Sequence, residues 1–156
     1  MHYIFIVNDF PINDKIYTGQ EIADTLLEKN CWIFAENAPN IKKMNPGDKV
    51  IVYVAGKGNR FFYANFEILE KIKEHKMCPS SEETEVLYAM FPLGCSIKVL
   101  SISSKPVKIA DVKEQLNFIT DKKNYGLFLR QSTKIISKKN YDQPSRKPPA
   151  LVIYTS

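Results

Sequence analysis

The first part of the chain alternates short apolar runs with polar turns, a pattern typical of β-strands. The runs at 49–55 and 60–69 are apolar on both faces, and a glycine-containing hairpin at 56–59 joins them. Both faces of these two strands must therefore be covered, and a barrel with a helix on its outside provides that cover. Further strands are predicted at 3–7, 31–34 and 95–108.

A helix is predicted between the first two strands. Thr18 can accept hydrogen bonds from free N–H groups at a helix start, and Glu21, three residues later, can cap back. Ile22 and Leu26 lie four residues apart on one face, and Asn30 is suited to the helix end. Downstream, we expect a loop over 71–85, a short strand over 85–91 and a helix beginning at residue 111. This order of elements favours an α+β barrel.

Length and charge narrow the class of protein. The chain has 156 residues, which suits one domain, predicted over 1–143 and followed by a Pro- and basic-rich segment or linker at 144–156. The net charge is +5, which permits a nucleic-acid partner but is equally explained by a lysine-rich composition. No apolar run approaches the ~20 residues of a membrane span, so no membrane partner is expected.

The cysteines and histidines predict a binding module rather than an enzyme. There are three cysteines, an odd number without close spacing, which favours a cytoplasmic location over a disulfide-bonded secreted class. His75 and Cys78 form an H-x-x-C pair, but a zinc site needs about four ligands and the other candidates are scattered. No glycine-rich phosphate loop is present. We therefore expect no catalysis, no metal and no cofactor.

An ordered set of motifs resembles the EVE domain. Trp32 precedes Met44-Asn45-Pro46-Gly47-Asp48 and the strand ending at Tyr53, which is similar to the family's aromatic strand followed by K-P-G-D-x-hydrophobic-hydrophobic-x-Y. Residues 105–109 and 116–119 resemble its K-P-I-x-I and L-x-F-I tail, and Tyr141 falls near its closing aromatic. The resemblance covers residues 1–142. The chain departs from the pattern at its opening strand and in having a single tryptophan.

The resemblance implies a PUA-like fold of the EVE/YTH type, a small mixed β-barrel with flanking helices and a pocket at one end. YTH domains and the N-terminal modules of modification-dependent restriction enzymes look similar. Members of these groups bind nucleic acid, several of them by holding a methylated base, such as methyladenine, in an aromatic cage. The implied partner is DNA or RNA with a modified base, with an effector domain or subunit acting alongside. The alternatives are a general RNA-binding domain without that preference, and a small-ligand or protein-interaction barrel.

A pocket for a flipped base needs aromatic walls and a few fixed hydrogen-bonding groups. The resemblance places an aromatic wall at Trp32, and YTH-like relatives contribute a second wall from the segment around Tyr88. Asn8 and Asp9 follow the first strand and can read a base edge, although both residue types also form turns. The predicted base-binding residues are Asn8, Asp9, Phe10, Trp32, Ile33, Tyr88 and Phe91. The alternative interpretation of the aromatic residues is that they pack in the hydrophobic core and bind no ligand.

Basic residues are candidates for the nucleic-acid backbone. Lys57 and Arg60 lie on the predicted hairpin, and Lys122, Lys123 and Arg130 lie near the predicted C-terminal helix. Phosphate contacts supply affinity but carry no sequence information. Each of these residues can equally be a solvated surface group, and only clustering on one face would distinguish the two interpretations.

Overall fold

The computed structural model describes residues 1–56, 59–108, 133–138 and 141–142. One short 3-10 helix spans Ile41–Lys43. The strands and helices, in chain order, are β1 (His2–Val7), β2 (Phe10–Ile12), β3 (Lys15–Tyr17), α1 (Gly19–Glu28), β4 (Cys31–Phe34), β5 (Lys49–Gly56), β6 (Asn59–Ile68), β7 (Lys73–Glu74), α2 (Glu82–Met90), β8 (Leu93–Lys108) and β9 (Thr133–Ile136).

Most of the described strands form one mixed sheet that curls into a half-barrel. Its order is β4-β8-β6-β5-β1-β9, with β7 paired to β8, while β2 and β3 form a separate hairpin. Strands β1 and β5 are parallel, and the other pairs are antiparallel. A parallel pair needs a crossover connection, and α1 lies in the one between β1 and β5. The predicted α+β class is confirmed.

Helix α1 forms with the capping box that the sequence predicts. The Thr18 hydroxyl accepts a 3.1 Å hydrogen bond from the Glu21 N–H, and the Thr18 N–H donates to the Glu21 carboxylate at 3.4 Å. Gly19 begins the helix against β1, and a Cβ at this position would lie 2.7 Å from the Val7 carbonyl oxygen. The absence of a side chain at Gly19 lets α1 pack directly on the sheet. Leu26, on the inner face of α1, is buried in this contact.

A turn with the sequence Asn-Pro-Gly-Asp, at residues 45–48, leads into β5. Gly47 has a φ of 94°, a conformation that other residues rarely adopt. The Asp48 carboxylate accepts hydrogen bonds from the Asn45 N–H at 2.8 Å and from the Met1 ammonium at 2.9 Å. In the strands that follow, residues 50–54 and 61–66 are all buried, so both faces of each strand are covered as predicted.

The prediction for 82–91 was wrong, because residues 82–90 form α2 rather than the end of a loop and a strand. The Ser81 hydroxyl accepts a 3.2 Å hydrogen bond from the Thr84 N–H and caps the helix. Glutamates in its first turn interact favourably with the positive end of the helix dipole. The hairpin of β2 and β3 was not predicted, and Asn13 turns it with a φ of 55°.

Several predictions fall on residues outside the described ranges. The helix expected from residue 111, the motif at 116–119 and the segment 144–156 are among them, so the domain boundary at 143 stays a prediction. Tyr141 is described and buried, and its hydroxyl accepts a 2.8 Å hydrogen bond from the Asn65 amide. Within the described ranges, no helix has the length and apolar character needed to cross a membrane.

Candidate functional site

A cavity of about 210 Å³ lies at the C-terminal end of β1, between the sheet and the two helices. Strand β1 contributes Ile6 and Val7, the inner face of α1 contributes Ile22 and Leu26, and the other walls come from β4 and α2. The lining is largely apolar, with polar side chains just beyond the end of β1. The predicted site residues that line it are Asn8, Asp9, Phe10, Trp32, Ile33 and Phe91.

Trp32 belongs to the core and to the cavity at once. Its side chain is only 5% exposed, and the indole lies 6.1 Å from the Phe5 ring and 5.4 Å from the Phe66 ring, measured between ring centroids. It nevertheless borders the cavity. Both interpretations offered by the sequence, a core residue and a pocket wall, therefore apply to the same ring.

Asn8 and Asp9 form the polar end of the cavity. Asn8 is exposed. The Asp9 carboxylate accepts a 2.9 Å hydrogen bond from the Gly19 N–H, which ties the start of α1 to the end of β1. Asp9 thus has a structural role that the sequence did not reveal, and it is also one of the residues that line the cavity.

Phe10 and Phe91 face each other at the cavity and connect two elements that are distant in sequence. Their ring centroids are 5.6 Å apart, with an edge-to-face angle of 62°. Phe10 begins the β2–β3 hairpin, and Phe91 caps the C-terminus of α2. This aromatic pair brings the β2–β3 hairpin and the end of α2 together at the cavity.

Tyr88 does not line this cavity, contrary to its predicted place there. Leu87 and Phe91, four residues apart, share the face of α2 that borders the cavity. Tyr88 is rotated away: its hydroxyl accepts a 2.9 Å hydrogen bond from the Lys29 ammonium, and its ring lies edge-on to His75 at 5.6 Å. The structure therefore places Leu87 in the wall and Tyr88 behind it.

Among the predicted phosphate-binding residues, the structure describes Arg60. It is exposed near the start of β6, where it pairs with Ala55 of β5. Lys57, Lys122, Lys123 and Arg130 lie outside the described residues. Whether these cations cluster on one face stays a prediction.

Two of the three thiols, those of Cys31 and Cys95, are poorly suited to nucleophilic chemistry. Burial raises the pKa of Cys31 to about 11 and the pKa of Cys95 to about 12. A thiol with so high a pKa is almost entirely protonated near neutral pH, whereas the thiolate is the reactive form. In the parts of the chain that the structure describes, no group of three or more His, Cys, Asp or Glu residues could hold a metal ion.

The family model for the EVE domain matches residues 21–143. The chain belongs to the EVE domain family. A comparison of this EVE domain with curated proteins found no match.

Solved structures of similar fold cover most of this EVE domain. Human THYN1 protein in complex with 5-methylcytosine-containing DNA is 14% identical, with a TM-score of 0.59 and coverage of 90% of this chain and 93% of that one. Protein Atu2648 from Agrobacterium tumefaciens is 17% identical, with a TM-score of 0.55 and coverage of 97% and 98%. Rpa0253 from Rhodopseudomonas palustris is 13% identical, with a TM-score of 0.56 and coverage of 92% and 89%. At these identities the likeness shows a shared fold.

Sequence reasoning missed several residues that line the cavity of this EVE domain. Phe34 follows Trp32 at the two-residue spacing that places side chains on the same face of a strand, so a signal for it was present. Ile22 and Leu26 were recognised as the apolar face of α1 but not as cavity walls. Leu87 was hidden because its segment was assigned to a strand.

Proposed function

We propose that this EVE domain binds nucleic acid and holds one modified heterocycle, a methylated base, in the cavity between β1, β4, α1 and α2. The observation that carries the proposal is the way the fold brings the predicted base-binding residues together. Residues chosen from the sequence for base binding, at 8–10, 32–33 and 91, line a single cavity in the folded chain. An apolar, aromatic-walled space with a polar end matches a flat ring that has a hydrogen-bonding edge.

The size of the cavity supports a single base as the ligand. Pockets for drug-sized ligands typically hold about 300–1,000 Å³, and this cavity holds about 210 Å³. Stacking on an aromatic side chain contributes ~1–3 kcal/mol per base. Burying one methyl group adds only ~0.8 kcal/mol, or about fourfold in affinity. The aromatic walls would thus supply most of the base affinity, and selectivity for the methyl group would depend on a close fit.

The polar end favours a base that carries an exocyclic amino group. Carboxylates accept hydrogen bonds from the N4 amino group of cytosine, and asparagine amides pair with the amino edge of adenine. Asn8, which carries an amide, and Asp9, which carries a carboxylate, are the residues of these types that line the cavity. The THYN1 structure, whose DNA contains 5-methylcytosine, supports this choice of base class.

The proposal extends to the role of the domain in the cell. The domain would act in the cytoplasm as a binding module without chemistry of its own, and an attached domain or partner subunit would supply the effect. A modification-dependent restriction system is the arrangement that we propose. The high pKa values of the Cys31 and Cys95 thiols support a role without nucleophilic catalysis by either of them.

The direct test is a titration that uses the fluorescence of Trp32. Matched oligonucleotides carry one 5-methylcytosine, one N6-methyladenine or no modification, at low and at moderate salt. We expect binding that weakens as salt rises and that is at least about fourfold tighter for one modified strand. Equal affinities would refute the modified-base part. No affinity even at low salt would refute nucleic-acid binding and favour a small-ligand or protein-interaction barrel.

An asparagine pair provides a matched control for this titration. Asn8→Ala removes an amide at the polar end of the cavity, whereas Asn37→Ala removes an exposed amide from a turn after β4. We expect the first substitution to reduce the preference for the modified strand and the second to leave it unchanged. Equal effects of the two would argue against a base edge at Asn8.

A second candidate, general nucleic-acid binding without modified-base preference, is favoured by the burial of Trp32 and by the bond between Asp9 and Gly19. Under that interpretation Arg60→Ala weakens binding to every strand by the same factor and matters more than Trp32→Phe. The reverse order of effects, with selectivity lost in Trp32→Phe, would exclude it.

A further inference from the structure

His75 lies behind the aromatic wall at Phe91 and bonds the backbone through both ring nitrogens. Its Nε2 is 2.6 Å from the Phe91 carbonyl oxygen, and its Nδ1 is 3.4 Å from the Met77 nitrogen. A carbonyl oxygen can only accept and a backbone N–H can only donate. The Nε2–H tautomer is therefore the one that satisfies both contacts, and the ring bridges two chain segments.

The bond from His75 reaches the chain where α2 ends. Phe91 is the C-cap residue of α2, with φ −124° and ψ 78°, and its N–H donates to the Leu87 carbonyl at 3.1 Å. The last carbonyls of a helix have no partner within the helix and need an outside donor. His75 supplies that donor to Phe91. Any rotation of this peptide would move the Phe91 ring relative to Phe10.

Backbone pairing holds the same two segments together. The His75 N–H donates to the Pro92 carbonyl at 3.1 Å, and β7 pairs with Leu93 and Gly94 of β8. Residues 73–77 therefore run antiparallel to residues 91–94. The imidazole bond to Phe91 extends this ladder up to the cavity wall.

Gly94 lets Trp32 and His75 approach from two sides of β8. A Cβ at Gly94 would lie 2.8 Å from the Trp32 carbonyl oxygen and 3.3 Å from Cδ2 of His75. On its other side the His75 ring meets Tyr88, whose hydroxyl is held by Lys29. Gly94 and His75 thus connect Trp32 in β4 with Phe91 at the end of α2, the two aromatic residues that line the cavity from these elements.

We propose that His75 is a positioning residue that holds Phe91 at the distance required to recognise a modified base. The inference rests on the proposed function and deepens it, since it names the residue on which selectivity depends. Contact energy falls steeply with distance, and a gap of about 0.5–1 Å forfeits roughly a quarter to a half of it. A methyl group offers few contacts, so a small displacement of Phe91 removes the advantage of the modified base.

Two amide variants separate the hydrogen bond from the bulk of the side chain. His75→Gln keeps an N–H donor with a reach similar to that of Nε2, whereas His75→Asn carries the same amide on a chain one methylene shorter. Dissociation constants are measured for matched oligonucleotides with one 5-methylcytosine or none, at two salt concentrations, after circular dichroism has shown that each variant is folded. The ratio of the two constants is the readout.

We expect the wild type and His75→Gln to keep a preference of at least about fourfold, and His75→Asn to show a ratio near one. Affinity for the unmodified strand should fall less than affinity for the methylated strand, and the salt dependence should stay unchanged, because phosphate contacts do not pass through Phe91. A merely structural loss would instead weaken both strands together and would not be rescued by glutamine.

The contradicting outcomes are distinct. A preference retained in His75→Asn, or lost equally in both variants, overturns the role of His75 and leaves the proposed function standing. A wild type without any preference refutes the proposed function and the role of His75 with it. Nitrogen NMR of the wild-type imidazole in the presence of the methylated strand is independent of variant folding: the Nε2–H tautomer is expected, and the Nδ1–H tautomer overturns the proposal.

Discussion

The double role of Trp32 leads to a quantitative prediction for its replacement by alanine. The indole is 5% exposed and packs against Phe5 and Phe66, so its removal leaves a large hole in the aromatic core. Truncation of a buried tryptophan to alanine costs about 3–5 kcal/mol of unfolding free energy. Total stabilities are typically about 5–15 kcal/mol. The variant is therefore expected to be close to unfolding.

The measurement is urea unfolding followed by far-UV circular dichroism, since the substitution removes the only tryptophan. Ile16→Ala is a suitable control because Ile16 is 70% exposed and its truncation should change stability by no more than about 0.5 kcal/mol. A loss below about 1 kcal/mol for Trp32→Ala would refute the packing described here, since surface substitutions fall in that range.

This stability cost determines how binding should be tested. A failure of Trp32→Ala to bind an oligonucleotide would not distinguish a missing wall from an unfolded domain. Trp32→Phe keeps an aromatic ring and should cost only about 1–3 kcal/mol, the usual range for single substitutions. It is therefore the variant in which lost selectivity can be assigned to the cavity.

Three further predictions concern stability and reactivity. Tyr141→Phe leaves the buried Asn65 amide without its acceptor and should cost about 1–3 kcal/mol in urea unfolding; an unchanged midpoint would contradict the bond. Asp9→Ala removes the acceptor of the Gly19 N–H and should cost about 0.5–2 kcal/mol, whereas Asp14→Ala, at an exposed position on the hairpin, should not. At mildly alkaline pH a thiol reagent should modify exposed Cys78 quickly and both half-buried Cys31 and buried Cys95 slowly, because the pKa values of Cys31 and Cys95 are raised to about 11 and about 12 and their thiolate fractions are correspondingly small. Equal rates at all three thiols would show that the burial is wrong.

Features set by local chemistry were predictable from the sequence. Thr18 and Glu21 form the capping box that marks the start of α1, and Gly47 takes the positive φ that the Asn-Pro-Gly-Asp turn requires. Each depends on groups within four residues of one another. The apolar runs of β5 and β6 likewise predicted strands covered on both faces, because burial on each side leaves no polar alternation.

The segment at 82–90 shows where such reasoning fails. The start of this segment was predicted as part of a loop, although its glutamates occupy the first turn of a helix capped by Ser81. Because residues 85–91 were assigned to a strand, Tyr88 could be placed in the pocket. In a helix each residue is rotated by about 100° from the last, so Leu87 and Phe91 reach the cavity and Tyr88 turns toward His75.

Long-range contacts could not be inferred from a single sequence. The Asn65 amide meets the Tyr141 hydroxyl and the Ser101 hydroxyl inside the sheet, and nothing in the local sequence around any of these residues indicates the others. The role of His75 is of the same kind, since it depends on a carbonyl sixteen residues away. Residue types predicted the chemistry of the cavity, and only the packing of β7 against β8 revealed what supports its wall.

The most direct test of the central claim is to locate the bound base by chemical-shift mapping. Amide and indole N–H signals of the isotope-labelled protein are recorded during titration with an oligonucleotide that carries one 5-methylcytosine. The account predicts that the largest shifts specific to the methylated strand occur at Asn8, Phe10, Ile33, Phe91 and the Trp32 indole. Methyl-specific shifts confined to residues outside the cavity, or no difference between the two strands, would contradict it.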